Sequence, residues 1–251
     1  MSGRLVVVGL GPGADALQTP QAAAALAAAT DLLGYSTYLD RVPVRGGQTR
    51  HASDNREEIA RARHALALAA SGRDVAMVSS GDPGVFAMAS AVFEAIEHGE
   101  AAWCGLDVQV IPGISAMFAA AARIGAPLGH DFCAISLSDN LKPWETVLRR
   151  LRAAAEAGFV IALYNPASRA RPWQLAAALE ALRGVVPGET PVIFATAISR
   201  ADERIDIAPL ATADAGRADM RTLVMIGTAA TRAITRPDGG VWLYTPRGEA
   251  A

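Results

Sequence analysis

The chain has 251 residues, with 23 Lys and Arg against 25 Asp and Glu and a formal net charge of −2. At 51% hydrophobic and 19% charged residues it can bury a large core, which excludes disorder as the dominant state. The near-neutral balance excludes a broad nucleic-acid surface, although it says nothing of local basic patches.

No secretory leader is expected at the start, where Met1-Ser2-Gly3-Arg4 runs straight into a short apolar segment. Strands are expected over 5–8, 75–78, 108–111, 133–137, 160–164, 192–195 and 223–226, with a further short strand around Leu32-Leu33-Gly34. Most of these are continuously apolar rather than alternating, as strands covered by helices on both faces are. Helices are expected between them over 20–29, 56–70, 85–98, 115–124, 145–157 and 172–182. Pro20 suits the first turn of its helix, and Asn55 reads as an N-cap ahead of Arg56-Glu57-Glu58. The fold class is α/β. Repeated alanine falls on helical segments, where it permits close helix-to-sheet packing.

Turn signals cluster at Pro112-Gly113 and again over 125–130, which places the hinge between two α/β domains in that neighbourhood. The division is drawn between residues 1–113 and 114–251, with a cleft between the halves. Cys104 and Cys133 have neither a CxxC spacing nor a histidine pair beside them, so they read as two buried thiols in a reducing compartment, and no protein-bound metal is expected. Apolar stretches such as 114–122 fall short of the ~18 residues a membrane span needs. A soluble, cytoplasmic protein is the expectation.

Chemistry is expected where strands end in glycine, proline or polar turns. The first strand runs into Gly9-Leu10-Gly11-Pro12-Gly13-Ala14, which fits a dinucleotide GxGxxA. Pro12 removes an N–H where a pyrophosphate would sit, and Asp31 begins the second strand rather than ending it. Both features disfavour the dinucleotide reading. Ser79-Ser80-Gly81-Asp82-Pro83-Gly84-Val85-Phe86 ends another strand. There Asp82 reads either as an N-cap or as part of a turn facing a cofactor. Pro112-Gly113-Ile114-Ser115-Ala116 and Asn165-Pro166-Ala167-Ser168-Arg169 close two more strands, and Ser136–Trp144 is the dense polar group of the second half.

GLGPG at Gly9–Gly13, SSGDPGVF at Ser79–Phe86, PGISA at Pro112–Ala116 and LYNP at Leu163–Pro166 resemble the tetrapyrrole methyltransferase family. GYSTYL at Gly34–Leu39, the segment Ala126–Phe132 and SLSDNLKPWE at Ser136–Glu145 resemble its ring-contracting corrin branch. The resemblance runs from about Leu5 to Thr228. It implies S-adenosylmethionine as cofactor, a small tetrapyrrole as substrate and a homodimer, while the charge balance and the short apolar runs make neither nucleic acid nor membrane an expected partner. Residues 1–113 would form the substrate side of the cleft and residues 114–251 would complete the cofactor site.

Residue by residue, the resemblance assigns cofactor contacts to Pro12, Ser80, Gly81, Asp82, Val85, Ser115, Ala116 and Asn165, with Ala197 and Thr228 as later contacts. The segment Thr196-Ala197-Ile198-Ser199-Arg200 departs from the family pattern and keeps only Arg200 and, further on, Glu203 in place. Ring contraction moves protons on the macrocycle, so an acid or base is expected among Asp139, Lys142, Arg200 and Glu203. Asp139 comes first, and Arg200 is the second catalytic candidate. Lys142 and Trp144 are candidate substrate contacts. Arg41, Arg45, Arg50 and His51 form an acid-free basic run suited to substrate carboxylates, and it reads as a loop. Within it, Arg41 and Arg45 are the substrate-binding candidates.

Overall fold

The computed structural model describes residues 3–54, 57–168 and 170–248. Asn55, the helix start at Arg56, and Arg169 lie outside the described residues. The chain divides into two units, Met1–Ser115 and Ala116–Ala251.

The first unit is built on β1 (Arg4–Gly9), β2 (Asp31–Tyr35), β3 (Thr49–Ser53), β4 (Asp74–Ser79) and β5 (Asp107–Ile111). They form one parallel sheet in the order β3-β2-β4-β1-β5. The helices are α1 (Pro20–Ala28), α2 (Ser36–Leu39), α3 (Glu58–Ala70) and α4 (Met88–Glu97). The unbroken apolar run of β1 is explained by its two buried faces. Leu5 and Val7 pack with Ala62, Ala65 and Ala69 of α3 and Ala91 and Ala95 of α4. Val6 and Val8 point the other way, to Ala22 and Leu26 of α1 and Leu39 of α2. Burying each such Val or Leu side chain stabilises the fold by about 1.5–3 kcal/mol. Thr19 caps α1 by accepting a hydrogen bond from the Ala22 amide at 3.1 Å, and Pro20 occupies the first helical position.

Asp31 opens β2 and is 2% exposed. Its carboxylate accepts from Arg73 Nε at 2.7 Å, pairs with His51 Nε2 at 2.9 Å and accepts from the Thr30 hydroxyl at 2.7 Å. Burial alone would raise this carboxyl, but the hydrogen bonds from Arg73, His51 and Thr30 outweigh it and hold it below the usual carboxylate range. A folded-state value below the unfolded one, about 3.9, gives stability that is complete above that value and lost as pH falls through the folded one. Asp31→Asn is therefore expected to cost about 2 kcal/mol at pH 7. Urea titrations of wild type and variant should converge as the pH is lowered below 4.

The second unit contains α5 (Ala116–Ile124), β6 (Gly125–Ala126), β7 (Phe132–Ser136), α6 (Trp144–Glu156), β8 (Val160–Tyr164), α7 (Gln174–Arg183), β9 (Pro191–Thr196), β10 (Arg204–Pro209), β11 (Thr222–Ile226), β12 (Arg232–Thr235) and β13 (Val241–Tyr244). Its main sheet has the order β10-β9-β11-β8-β7. β7 runs parallel to β8, whereas β11 runs antiparallel to β8 and β9, and β10 antiparallel to β9. The core on one face joins Ile161, Leu163, Val192, Phe194, Val224 and Ile226 to Val147 and Leu151 of α6 and Leu175 and Leu179 of α7.

Several expectations change. The segment 125–130, read as part of a hinge, starts with β6, which pairs with Leu243 and Tyr244 of β13 inside the second unit. Gly125 is required there, because its φ is 126° and a Cβ would lie 2.5 Å from the Leu243 carbonyl oxygen. Cys104 is exposed rather than buried. Cys133 is half-buried, and burial pushes its thiol up. Arg50 and His51 lie in β3, an edge strand, not in a loop.

Candidate functional site

In the first unit β1 lies between β4 and β5, and the chain passes from β4 to β5 across it. Strand ends at such a reversal are where open parallel sheets bind ligands. Three glycine turns meet there. The Leu10 amide donates to the Ser79 carbonyl at 2.9 Å, and Gly11 and Gly81 exchange backbone hydrogen bonds of 3.2 and 3.0 Å. Gly11 and Gly81 both have positive φ, 70° and 63°. Gly113, from the turn after β5, packs so tightly that a Cβ would lie 2.1 Å from the Gly81 carbonyl oxygen and 3.0 Å from Gly9 Cα.

Asp82 ties these turns together. Its Oδ1 accepts from the Gly84 amide at 2.8 Å and its Oδ2 from the Gly113 amide at 3.0 Å. The N-cap reading of Asp82 falls away, because α4 begins at Met88 and residues between them form a turn. The helix expected from 85 starts later for the same reason. Phe86 takes a positive φ of 52° within that turn. Pro12 and Ser115 are buried at this end of the sheet, and Ser80, Gly81 and Val85 are half-buried.

The basic run resolves into separate roles. Arg41 follows α2 and donates through Nη2 to the carbonyls of Leu10 and Gly11 at 3.0 and 3.1 Å. A longer contact of 3.5 Å reaches the Gly13 carbonyl, and Nη1 donates to Ser80 Oγ at 3.3 Å. Arg50 donates to the Val42 carbonyl at 3.0 Å and to that of Leu39, and His51 is held by Asp31. These bonds hold the Arg41, Arg50 and His51 side chains against the protein itself. Arg45 is exposed.

The second unit has its own cluster where β7, β8 and β9 end. Asn165, directly after β8, donates to Ser136 Oγ at 2.9 Å, and the Tyr164 hydroxyl accepts from the Met117 amide in the first turn of α5 at 3.2 Å. Asn165, Ala197 and Ser199 all have positive φ, 54°, 51° and 65°. Each non-glycine residue in that region costs about 1 kcal/mol or more, and such strain concentrates at ligand sites. Glu203 closes the turn by accepting from the Ser199 amide at 2.5 Å and pairing with Arg123 at 3.1 Å. The Arg200 amide donates to the Ala197 carbonyl at 3.0 Å.

Asp139 stands beside this cluster. Gln174 Nε2 at the start of α7 lies 3.3 Å from each of its oxygens. Gln174 is 1% exposed, and sequence reasoning missed it, since a lone glutamine at a helix start carries no pattern. Trp144 packs edge-on against Trp173 with ring centroids 5.0 Å apart, and Trp173 is 47% exposed. Burial, followed by the nearby Arg150, lowers the Lys142 ammonium below the usual lysine value. Thr228 is not part of the cluster. It follows the other end of β11, where Gly227 bonds to Pro191 at the start of β9.

A family model of the Tetrapyrrole (Corrin/Porphyrin) Methylases matches residues 4–214, and the chain belongs to that family. Among its relatives, a precorrin-3B C(17)-methyltransferase from Sinorhizobium sp is 61% identical over 247 residues, covering 98% of this chain and 97% of the relative. The crystal structure of the methyltransferase CobJ matches with a TM-score of 0.93 and 52% identity, over 98% of this chain and 100% of that one. A uroporphyrin-III C-methyl transferase from Thermus thermophilus, solved with S-adenyl homocysteine, shares the fold with a TM-score of 0.68 and 24% identity, over 90% of this chain and 97% of that one.

Proposed function

We propose that the chain is an S-adenosylmethionine-dependent methyltransferase that methylates precorrin-3B at carbon 17, with ring contraction to precorrin-4, in cobalamin biosynthesis. The observation that carries this reading is the 61% identity to a precorrin-3B C(17)-methyltransferase across nearly the full length of both chains. The reading extends to a homodimer in the cytoplasm, with neither nucleic acid nor membrane as partner. Among the described residues no helix is long and apolar enough to cross a membrane.

The strand-end turns suit such a cofactor. They offer backbone groups, the Ser80 hydroxyl and a tightly held Asp82 carboxylate, a donor and acceptor set matched to a zwitterionic amino acid joined to a nucleoside. When bound, S-adenosylmethionine supplies a methyl group on a sulfonium whose thioether leaves readily. Transfer then needs orientation and exclusion of water more than covalent help. Pro12, Ser80, Gly81, Asp82 and Val85 would seat the cofactor, together with Ser115 and Ala116 past β5. Asn165 and Ala197, held in strained turns, would make the remaining contacts. Asp139 would carry the proton that ring contraction moves, with Arg200 as a second polar group near the reacting ring. Arg45 and Lys142 would meet substrate carboxylates, and Trp144 would lie against the macrocycle.

Thermal-shift measurements test the cofactor class. S-adenosylhomocysteine at 100 times its Kd is expected to stabilise the folded protein by about 2.7 kcal/mol, while NAD leaves the melting temperature unchanged. Stabilisation by NAD and none by S-adenosylhomocysteine would restore the dinucleotide reading of Gly9–Ala14.

A further inference from the structure

Arg41 lies outside every glycine turn, yet its guanidinium reaches two of them. Nη2 donates to the carbonyl oxygens of Leu10 and Gly11, with that of Gly13 beyond them, and Nη1 donates to Ser80 in the turn after β4. Carbonyl dipoles aimed at one point repel one another, and a cation at that point turns the repulsion into attraction. The peptide plane adds a second consequence. With the Leu10 carbonyl held on Arg41, the Gly11 N–H of the same trans peptide faces away and donates to the Gly81 carbonyl at 3.2 Å. Arg41 therefore decides which edge of the first turn carries oxygens and which carries N–H groups. Pro12, next in the turn, has no N–H to offer, so the orientation of the remaining peptides matters more.

We propose that Arg41 is a positioning residue for the S-adenosylmethionine site, locking the Leu10–Gly13 turn to Ser80, and is not a ligand for substrate carboxylates. The inference rests on the methyltransferase reading above. Arginine suits the task because its planar fork carries two Nη groups that reach separate turns at once, whereas a lysine ammonium is a single point charge.

Isothermal titration with S-adenosylhomocysteine on the purified protein tests it, using wild type, Arg41→Ala and Arg41→Lys. Arg41→Ala is expected to bind roughly 10- to 100-fold more weakly, with Arg41→Lys in between. Millimolar guanidinium chloride should restore part of the affinity of Arg41→Ala and none to wild type. In turnover assays the KM for S-adenosylmethionine should rise with kcat at saturation changed far less. Cooperative melting of the unliganded variants verifies folding, and if Arg41→Ala does not fold, Arg41→Lys decides by the same comparison. A folded variant that binds S-adenosylhomocysteine as tightly as wild type overturns the proposal. So does weakened binding that neither lysine nor guanidinium relieves, because that is the mark of general disruption. Failure of the wild type itself to bind S-adenosylhomocysteine removes the methyltransferase reading and this inference with it, which the wild-type titration shows separately.

Discussion

Gly113→Ala is expected to abolish measurable S-adenosylhomocysteine binding and to lower stability by about 3 kcal/mol. The added Cβ would sit 2.1 Å from the Gly81 carbonyl oxygen and 3.0 Å from Gly9 Cα. Each of these neighbours is backbone, Gly9 fixed by strand pairing and Gly81 by its exchange with Gly11, so no side chain can swing aside. The turns after β1, β4 and β5 would have to separate, breaking the Asp82 bond to the Gly113 amide and the Gly11–Gly81 exchange. Urea denaturation reads the stability change and calorimetric titration reads the binding. An unchanged urea midpoint with wild-type affinity would show that the three turns do not form a shared seat.

Asp139→Asn is expected to reduce turnover about 100-fold while leaving S-adenosylhomocysteine affinity unchanged. The size follows from general acid–base catalysis, which contributes about 10²–10⁴-fold. Asparagine keeps the shape of aspartate and can still accept from Gln174 through Oδ1, so the loss isolates the proton carrier from the packing. Gln174 is buried, and its Oε1 has no hydrogen-bond partner among the described residues. That side chain is held by its surroundings and can orient the Asp139 carboxylate only through Nε2. Wild-type turnover by a purified, folded Asp139→Asn would remove Asp139 from the chemistry.

The strands with two buried faces are the most legible in the sequence, although β5 and β7, expected as well, are only partly buried. β1, β4, β8, β9 and β11 bury most of their residues, and that leaves an unbroken apolar run. β10, β12 and β13 are largely exposed, so they leave no such run and none was expected. Periodicity is equally blind to direction, and the antiparallel β11 reads like a parallel strand. The glycine motifs marked the site because close backbone approach demands glycine, and a Cβ at Gly9 or Gly113 has nowhere to go. The role of Arg41 could not be read, since the carbonyls it holds lie about 30 residues earlier in the chain. Composition suggested a ligand for carboxylates, and the folded chain turns that cation onto its own backbone.

Transfer of one methyl group to carbon 17 of a corrin precursor is read out by product analysis. The purified protein is incubated with precorrin-3B and S-adenosylmethionine labelled with ¹³C in the methyl group, and the product is examined by mass spectrometry and NMR. The expected product carries one labelled methyl per macrocycle, bonded to carbon 17 of a contracted ring. An unlabelled product, or a label on a different carbon, would contradict methylation at carbon 17.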